Sequence, residues 1–184
     1  MNLAHHLLIA MPSLDDDRFS QSVIYVCEHN NEGAMGIVLN KPSQYALGTL
    51  FTHLNLQTHD CALKSKTMLS GGPVNIERCF VLHRDNTSWN SSLSVNHDVT
   101  LTSSIDIMQA IAAGKGPEDF MISLGYANWE ADQLEQEISD NIWLTTPADT
   151  DTVFGADKTK LWQMAALPLG IENINNLYFR AGTA

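Results

Sequence analysis

Two stretches carry residue types that do chemistry. The first is Glu28-His29-Asn30-Asn31-Glu32-Gly33. A carboxylate beside an imidazole can tune a proton acceptor, and the two groups can also supply metal ligands. Adjacent residues of a strand point to opposite faces, so Glu28 and His29 are poorly placed to hold one ion together. A third ligand would have to come from afar, with His83 or Asp85 as the candidates. The plainer alternative is that His29 and the asparagines cap a hairpin turn through backbone hydrogen bonds.

The second stretch is Ser70-Gly71-Gly72-Pro73-Val74. Paired glycines let backbone amides approach a ligand and can form an anion nest or donate to an oxyanion. Neither GxxxxGK[ST] nor GxGxxG is present, so no nucleotide fingerprint stands here, and a tight turn explains the glycines as well. His83, with Arg78 and the glycine turn, could form a small anion pocket, or it is a hydrogen-bonded structural histidine. Ser103 and Ser104 lack a GxSxG or SxxK setting, and helix capping accounts for them. The triplet Asp15-Asp16-Asp17 lacks the alternate ligand spacing of a cation loop. The candidate ligand-binding residues are therefore Glu28, His29, Asn31, Gly71, Gly72 and His83. No metal set and no cofactor motif is assigned.

Composition narrows the partners. The chain has 184 residues, 44% of them hydrophobic, enough for one domain over residues 1–184 with a sizeable core. It carries 21 acidic against 10 basic residues, a formal net charge of -11. Such a surface repels phosphate backbones, so direct binding to nucleic acid or an anionic membrane is disfavoured. From Gly116 to Asp157 there are ten acids and no Lys or Arg, either a solvated face or a surface for a basic partner. The cysteines Cys27, Cys61 and Cys79 form no CxxC, and Cys27 reads as a small buried apolar residue. No basic leader precedes Leu7 to Met11 and no run approaches membrane-spanning length, so the expected location is the cytoplasm. The Asn86 and Asn90 sequons then have no glycosylation role.

The elements that must position these residues follow from periodicity. Leu7 to Met11 predicts a strand ended by Pro12. Ser22 to Cys27 predicts a strand buried on both faces, Glu28 to Gly33 a turn, and Gly36 to Asn40 an antiparallel return strand. Leu47, Leu50, Phe51 and Leu54 share one helical face. Gln57 to Lys66 reads as loop, Thr67 to Leu69 and Arg78 to Arg84 as strands, Asp85 to Ser92 as loop, and Val99 to Leu101 as a short strand. A helix over 105–113 is expected, with Ser103 and Asp106 as a capping pair. Phe120 to Leu124 predicts another strand. Asn128 is placed to cap a helix reaching Asn141, with Glu130, Asp132, Glu135 and Glu137 on its outer side. Ile142 to Thr145 reads as a strand, and Asp157 is expected to cap the last helix. Trp129, Trp143 and Trp162 read as core aromatics. Clustered strands with interspersed helices predict an α+β fold with a mixed, mainly antiparallel sheet and about four helices.

The chain resembles the AlgH/YqgE family of bacterial proteins. The matching pieces are HHLLIAMPSL from His5, FSQSVIYVCEHNNEGAMGIVLNKP from Phe19, SGGPV from Ser70 and FVLH from Phe80. LTSSIDIMQAIAAGKGP from Leu101 and LGYANWEADQLEQEISDNIWLTTPA from Leu124 continue the match. The resemblance implies one α+β domain with a bent sheet curled toward a barrel. One member's name links the family to regulation of alginate production and so to a transcriptional role. This chain departs from the family pattern in lacking glycines near Asn128, Glu130 and Asp132. It also has Cys79 where glycine is common and Thr183 where histidine is usual.

Three functional readings follow. The first is a non-enzymatic binding or regulatory module that holds a small ligand or a protein partner at the hairpin and glycine turns. The second is a small hydrolase-like enzyme with His29 or His83 as base and the Gly71 and Gly72 amides as oxyanion donors, which requires them in one cleft. The third, a direct DNA-binding regulator, needs a basic recognition element, and no helix carries clustered Lys or Arg.

Overall fold

The computed structural model describes residues 2–84 and 87–177. Asp85, Asn86 and the tail from 178 onward, including Thr183, lie outside the described residues.

Strands β1 (His6–Ala10), β2 (Val23–Asn30) and β3 (Gly33–Val38) form an antiparallel meander. Their apolar runs have no polar face, so both faces must be covered. Leu7, Ile9, Val23, Tyr25 and Ile37 point into one core, and Leu8, Ala10, Ile24, Val26 and Val38 into a second on the other side. The predicted hairpin is present, but β2 runs on to Asn30. The turn is therefore only Asn31 and Glu32, and a bulge between Val26 and Glu28 resets the register. At the other end, Asn40 Oδ1 accepts from the Val23 N–H at 2.8 Å, and its amide donates to the Gln21 carbonyl.

The chain continues through β4 (Pro42–Ala46), α1 (Leu47–His53), α2 (Cys61–Ser65), β5 (Thr67–Ser70), β6 (Val74–His83), β7 (Ser92–Ser94) and β8 (Thr100–Thr102). Next come α3 (Ile105–Ala112), β9 (Phe120–Glu130), α4 (Gln133–Ser139), β10 (Trp143–Pro147), α5 (Thr150–Gly155) and α6 (Leu161–Ala166), followed by 3-10 turns at Leu167–Leu169 and Ile174–Asn176. The strand order is β10-β1-β2-β3-β9-β6-β8-β7, with β5 beside β9 and β4 beside β5. Each ladder is antiparallel except β5–β9. The mixed, mainly antiparallel α+β architecture is thus as expected. One face packs under α5 and α6; the opposite face packs under α4 in one half and under α1 and α3 in the other. Among the described residues no helix is long and apolar enough to cross a membrane.

Among the described residues six α-helices stand where about four were expected. The two additional ones are short and announced mainly by their caps: Asp60 accepts from the Leu63 N–H in α2, and Asp149 from the Thr152 N–H in α5. Other expectations shift. Asn128 caps no helix, because β9 extends past it to pair Met35 with Asn128 and Gly33 with Glu130. The chain then turns at Asp132, which is left-handed at φ 62°. Ser104, not Ser103, precedes α3; its hydroxyl donates to Asp106, while Ser103 Oγ accepts from Arg78. Asp157 holds the turn before α6 through the Thr159 N–H and hydroxyl rather than capping the helix itself.

β9 is the strand both halves of the sheet share. Its second half pairs with β3, and its first half lies between β5 on one edge and β6 on the other. The link from β5 to β6 therefore has to pass over β9. That link is Gly71-Gly72-Pro73. A Cβ on Gly72 would stand 2.1 Å from the Tyr126 carbonyl carbon, and one on Gly71 would stand 1.7 Å from Ser123 Oγ. From below, Gly125 has φ +70°, and its Cβ would meet the Gly72 carbonyl oxygen at 2.5 Å. The motif is glycine because two backbones cross there in contact.

Replacing Gly72 with alanine should cost about 3 kcal/mol or more, since neither backbone can move aside without breaking a ladder. Gly155→Ala, whose Cβ would meet nothing within 4 Å, should stay within about 0.5 kcal/mol of the parent. Urea denaturation midpoints compare the two directly.

Candidate functional site

The sequence-derived candidates do not converge. His29 lies in β2, paired with Ala34, which in turn pairs with Trp129. His83 ends β6 opposite Phe120. Phe120 to Trp129 is nine residues along β9, roughly 30 Å of strand before the bend at Gly125 is counted. The glycine crossing lies between them. No single substrate spans these groups as a base and an oxyanion hole, which need a common point about 3 Å away.

Each candidate also has a local task. The His29 ring is buried, 3% exposed, beneath α4. Its Nδ1 accepts the Leu3 N–H at 2.9 Å and its Nε2 lies 2.8 Å from Glu135 Oε1. A neutral ring that accepts at Nδ1 carries its proton on Nε2, so Glu135 is the acceptor. His29 therefore ties the N-terminal segment and α4 to the sheet, and it does not cap the turn. The turn is closed by Asn30, whose Oδ1 accepts the Glu32 N–H at 2.7 Å; Asn31 is exposed at its tip. His83 is wholly buried, with Nε2 2.9 Å from Thr102 Oγ1, itself 2.7 Å from Ser92 Oγ. The Gly71 N–H donates to the Leu124 carbonyl and the Gly71 carbonyl accepts from Val38 N–H, both at 2.9 Å, so this amide faces the sheet and not a ligand. Burial pushes the Cys27 thiol up and the Cys79 thiol up to about 12, which keeps both as thiols rather than nucleophilic thiolates. Among the described residues no three His, Cys, Asp or Glu side chains are placed to hold a metal ion.

Glu28 is the candidate that does line open space. Strand alternation turns it away from His29, and with Asn30, Glu32, Met35, Asn128 and Glu130 it borders a polar cleft of about 310 Å³ at the end of the β2–β3–β9 platform. A second cleft of about 370 Å³ lies beside it and shares Asn128 and Trp129. This cleft is built by the curl of the sheet. β10 and the end of β9 come together without pairing, and Trp129 and Trp143 meet edge to face with centroids 6.2 Å apart. Helix α4 bridges the gap. Glu137 Oε2 accepts both indole N–H groups at 2.8 Å, and its Oε1 accepts the Gln133 amide at 2.8 Å. Gln133 Oε1 in turn accepts the Glu130 N–H at 2.9 Å, closing the free end of β9. Pro73, Val74 and the loop before β2 supply the remaining wall: Phe19 packs edge to face on Trp143 at 5.9 Å, and Arg18 lies 5.7 Å from the Phe19 ring and 2.7 Å from Asp16. The Arg18 contact holds the Asp16 carboxyl below the usual carboxylate range.

No motif in the chain announces this cleft. Trp129 and Trp143 read as core aromatics, and they are buried; Glu137 read as an outer residue of α4, whereas it turns inward. The signal was the pairing of an acidic helix position with a tryptophan on each flanking strand, both needing an acceptor once buried. Glu137→Ala leaves two indole donors without their acceptor and should cost about 2 kcal/mol or more, while Glu137→Gln keeps an acceptor oxygen and should cost about half as much. Thermal melts of the two variants beside the parent give the comparison. The His29 geometry predicts the Nε2–H tautomer in the folded protein, which long-range ¹⁵N–¹H correlation of the imidazole reads directly.

A mainly antiparallel sheet curled into a half-barrel, one long strand shared between its halves and a helix closing the gap define a mixed α+β protein with a cleft at the seam. The chain belongs to the AlgH-like family, whose model matches residues 7–174. A UPF0301 protein of Thioalkalivibrio sulfidiphilus is 47% identical over 171 residues, 93% of this chain and 91% of that protein. One from Stenotrophomonas maltophilia is 46% identical over 171 residues, again 93% and 91%. Among solved structures, the AlgH protein from Pseudomonas aeruginosa superimposes with a TM-score of 0.82 at 43% identity, covering 100% of this chain and 97% of that one. A Corynebacterium diphtheriae protein shares the fold at 19% identity, with a TM-score of 0.70 over 90% of this chain and 86% of its own.

Proposed function

We propose that the protein is a non-enzymatic binding module acting through small-ligand or protein contacts at the cleft between β9, α4 and β10. The observation that carries this reading is the cleft itself: aromatic walls, a carboxylate oriented by three donors, and an adjoining polar cleft sharing Asn128 and Trp129. Binding sites on strand scaffolds are commonly apolar recesses at the mouth of a curled sheet with a few fixed polar groups. The absence of a converged base and oxyanion pair favours binding over hydrolysis. A regulatory role, of the kind associated with alginate production in the family, then runs through protein or ligand contacts, since a net charge of -11 repels nucleic acid. Unpaired Cys27, Cys61 and Cys79 fit a reducing, cytoplasmic setting.

The indole N–H groups of Trp129 and Trp143 report on the cleft, and that of Trp162, bonded to the Ala10 carbonyl, is an internal control. A mixed library of small anions, cations and short peptides should contain compounds that shift the first two resonances and leave Trp162 in place. A library that moves neither, or moves all three together, overturns the reading.

A further inference from the structure

We propose that the cleft between β9, α4 and β10 takes a guanidinium group, with Glu137 as its charge partner. This deepens the binding reading above and rests on it.

The first ground is Glu137. Its three hydrogen-bond donors, two indoles and one amide, are all neutral, and it enters no ion pair among the described residues. A carboxylate offers about four acceptor positions. Two are filled on Oε2 and one on Oε1. The remaining position on Oε1 belongs to a group that lines the cleft, and among the described residues no donor or counter-ion fills it. A charged donor from a ligand answers both needs.

The second ground is the wall. Phe19, Trp129 and Trp143 border the cleft, and a planar, weakly hydrated cation is the ion that aromatic surfaces hold well. The third is at the rim, where the protein already holds one guanidinium in this way. Arg18 Nε lies 3.0 Å and Nη2 2.7 Å from the two oxygens of Asp16, a forked pairing, with Phe19 beside the guanidinium. Arg18 is 65% exposed and belongs to the mouth, not the floor. The surroundings repel anions: Glu28, Glu32 and Glu130 line the adjoining cleft. An ammonium ion matches the charge but lacks the planar fork and the stacking face.

The test is a titration of the full chain with N-acetyl-arginine methylamide, followed at the Trp129 and Trp143 indole resonances. The citrulline analogue, the same shape without charge, and the lysine analogue are run beside it. The arginine probe should bind at least 10-fold more tightly than either, and the affinity should fall as salt is raised. Glu137→Gln should weaken it at least 10-fold with the two indole resonances still downfield. If that variant melts, Asp16→Asn carries the test, with a weakening of several-fold expected. Agmatine against a Gly-Gly-Arg-Gly-Gly peptide separates a free small molecule from an arginine presented by a partner protein. Equal binding of arginine and citrulline probes, or an affinity untouched by both charge-removing variants, overturns the proposal. If other compounds shift the two indoles and the arginine probe does not, this inference fails and the binding reading stands. If nothing shifts them, both fail.

Discussion

The architecture depends on two backbones crossing at contact distance. β9 can be common to two half-sheets only if β5 and β6 flank it on opposite edges, and that obliges their short link to pass over its face. Side chains on either surface would hold the chains several ångströms apart and break the ladders on both sides. Gly71 and Gly72 above and Gly125 below remove them. The cost is conformational: Gly72 and Gly125 hold positive φ values, which L side chains rarely adopt. The geometry also consumes the Gly71 N–H and C=O in the sheet, which is why a motif that looks like an anion nest binds its own chain.

A second constraint comes from curvature. Strands that twist steadily bring the far edges of a sheet toward one another. Here β9 and β10 approach but do not pair, so their edges need another partner. The connection between them, α4, fills the gap and directs Glu137 onto the indoles of both strands. Closure by a side chain rather than a ladder leaves room beside it, and that room is the aromatic cleft. The structural clasp and the candidate binding site are thus the same residues, which ties occupancy of the cleft to the stability of the curl.

His29 and Glu28 are divided by strand alternation, and a single bulge sets which face each one takes. The irregularity between Val26 and Glu28 keeps His29 on the α4 side, where Leu3 and Glu135 satisfy it, and sends Glu28 to open solvent beside Asn30. Charge follows the same division. Glu28, Glu32 and Glu130 line one cleft, and Asp16 and Glu137 line the other. Arg18 at the rim is already committed to Asp16.

Much of the fold was legible in the chain alone. The unbroken apolar runs of β1 and β2 require cover on both faces, the spacing of Leu47, Leu50, Phe51 and Leu54 marks α1, and Ile107, Met108 and Ile111 mark α3. These are local consequences of where apolar side chains recur. Short helices such as α2 and α5 were hidden because one capping aspartate is a weak signal over five or six residues. The extension of β9 through Asn128 was hidden because its reason lies in Met35 and Gly33, nearly a hundred residues earlier. The site was decided by tertiary structure almost entirely. Of the six candidate ligand-binding residues Glu28 borders a cleft, while the buried histidines and close-packed glycines are spent on the fold. The residues that do line the aromatic cleft come from the loop before β2, from Pro73 and Val74 just past the glycine crossing, and from β9, α4 and β10. Only the curl of the sheet brings those segments together. No spacing within any one of them encodes that curl, because it is the sum of small twists across every strand between.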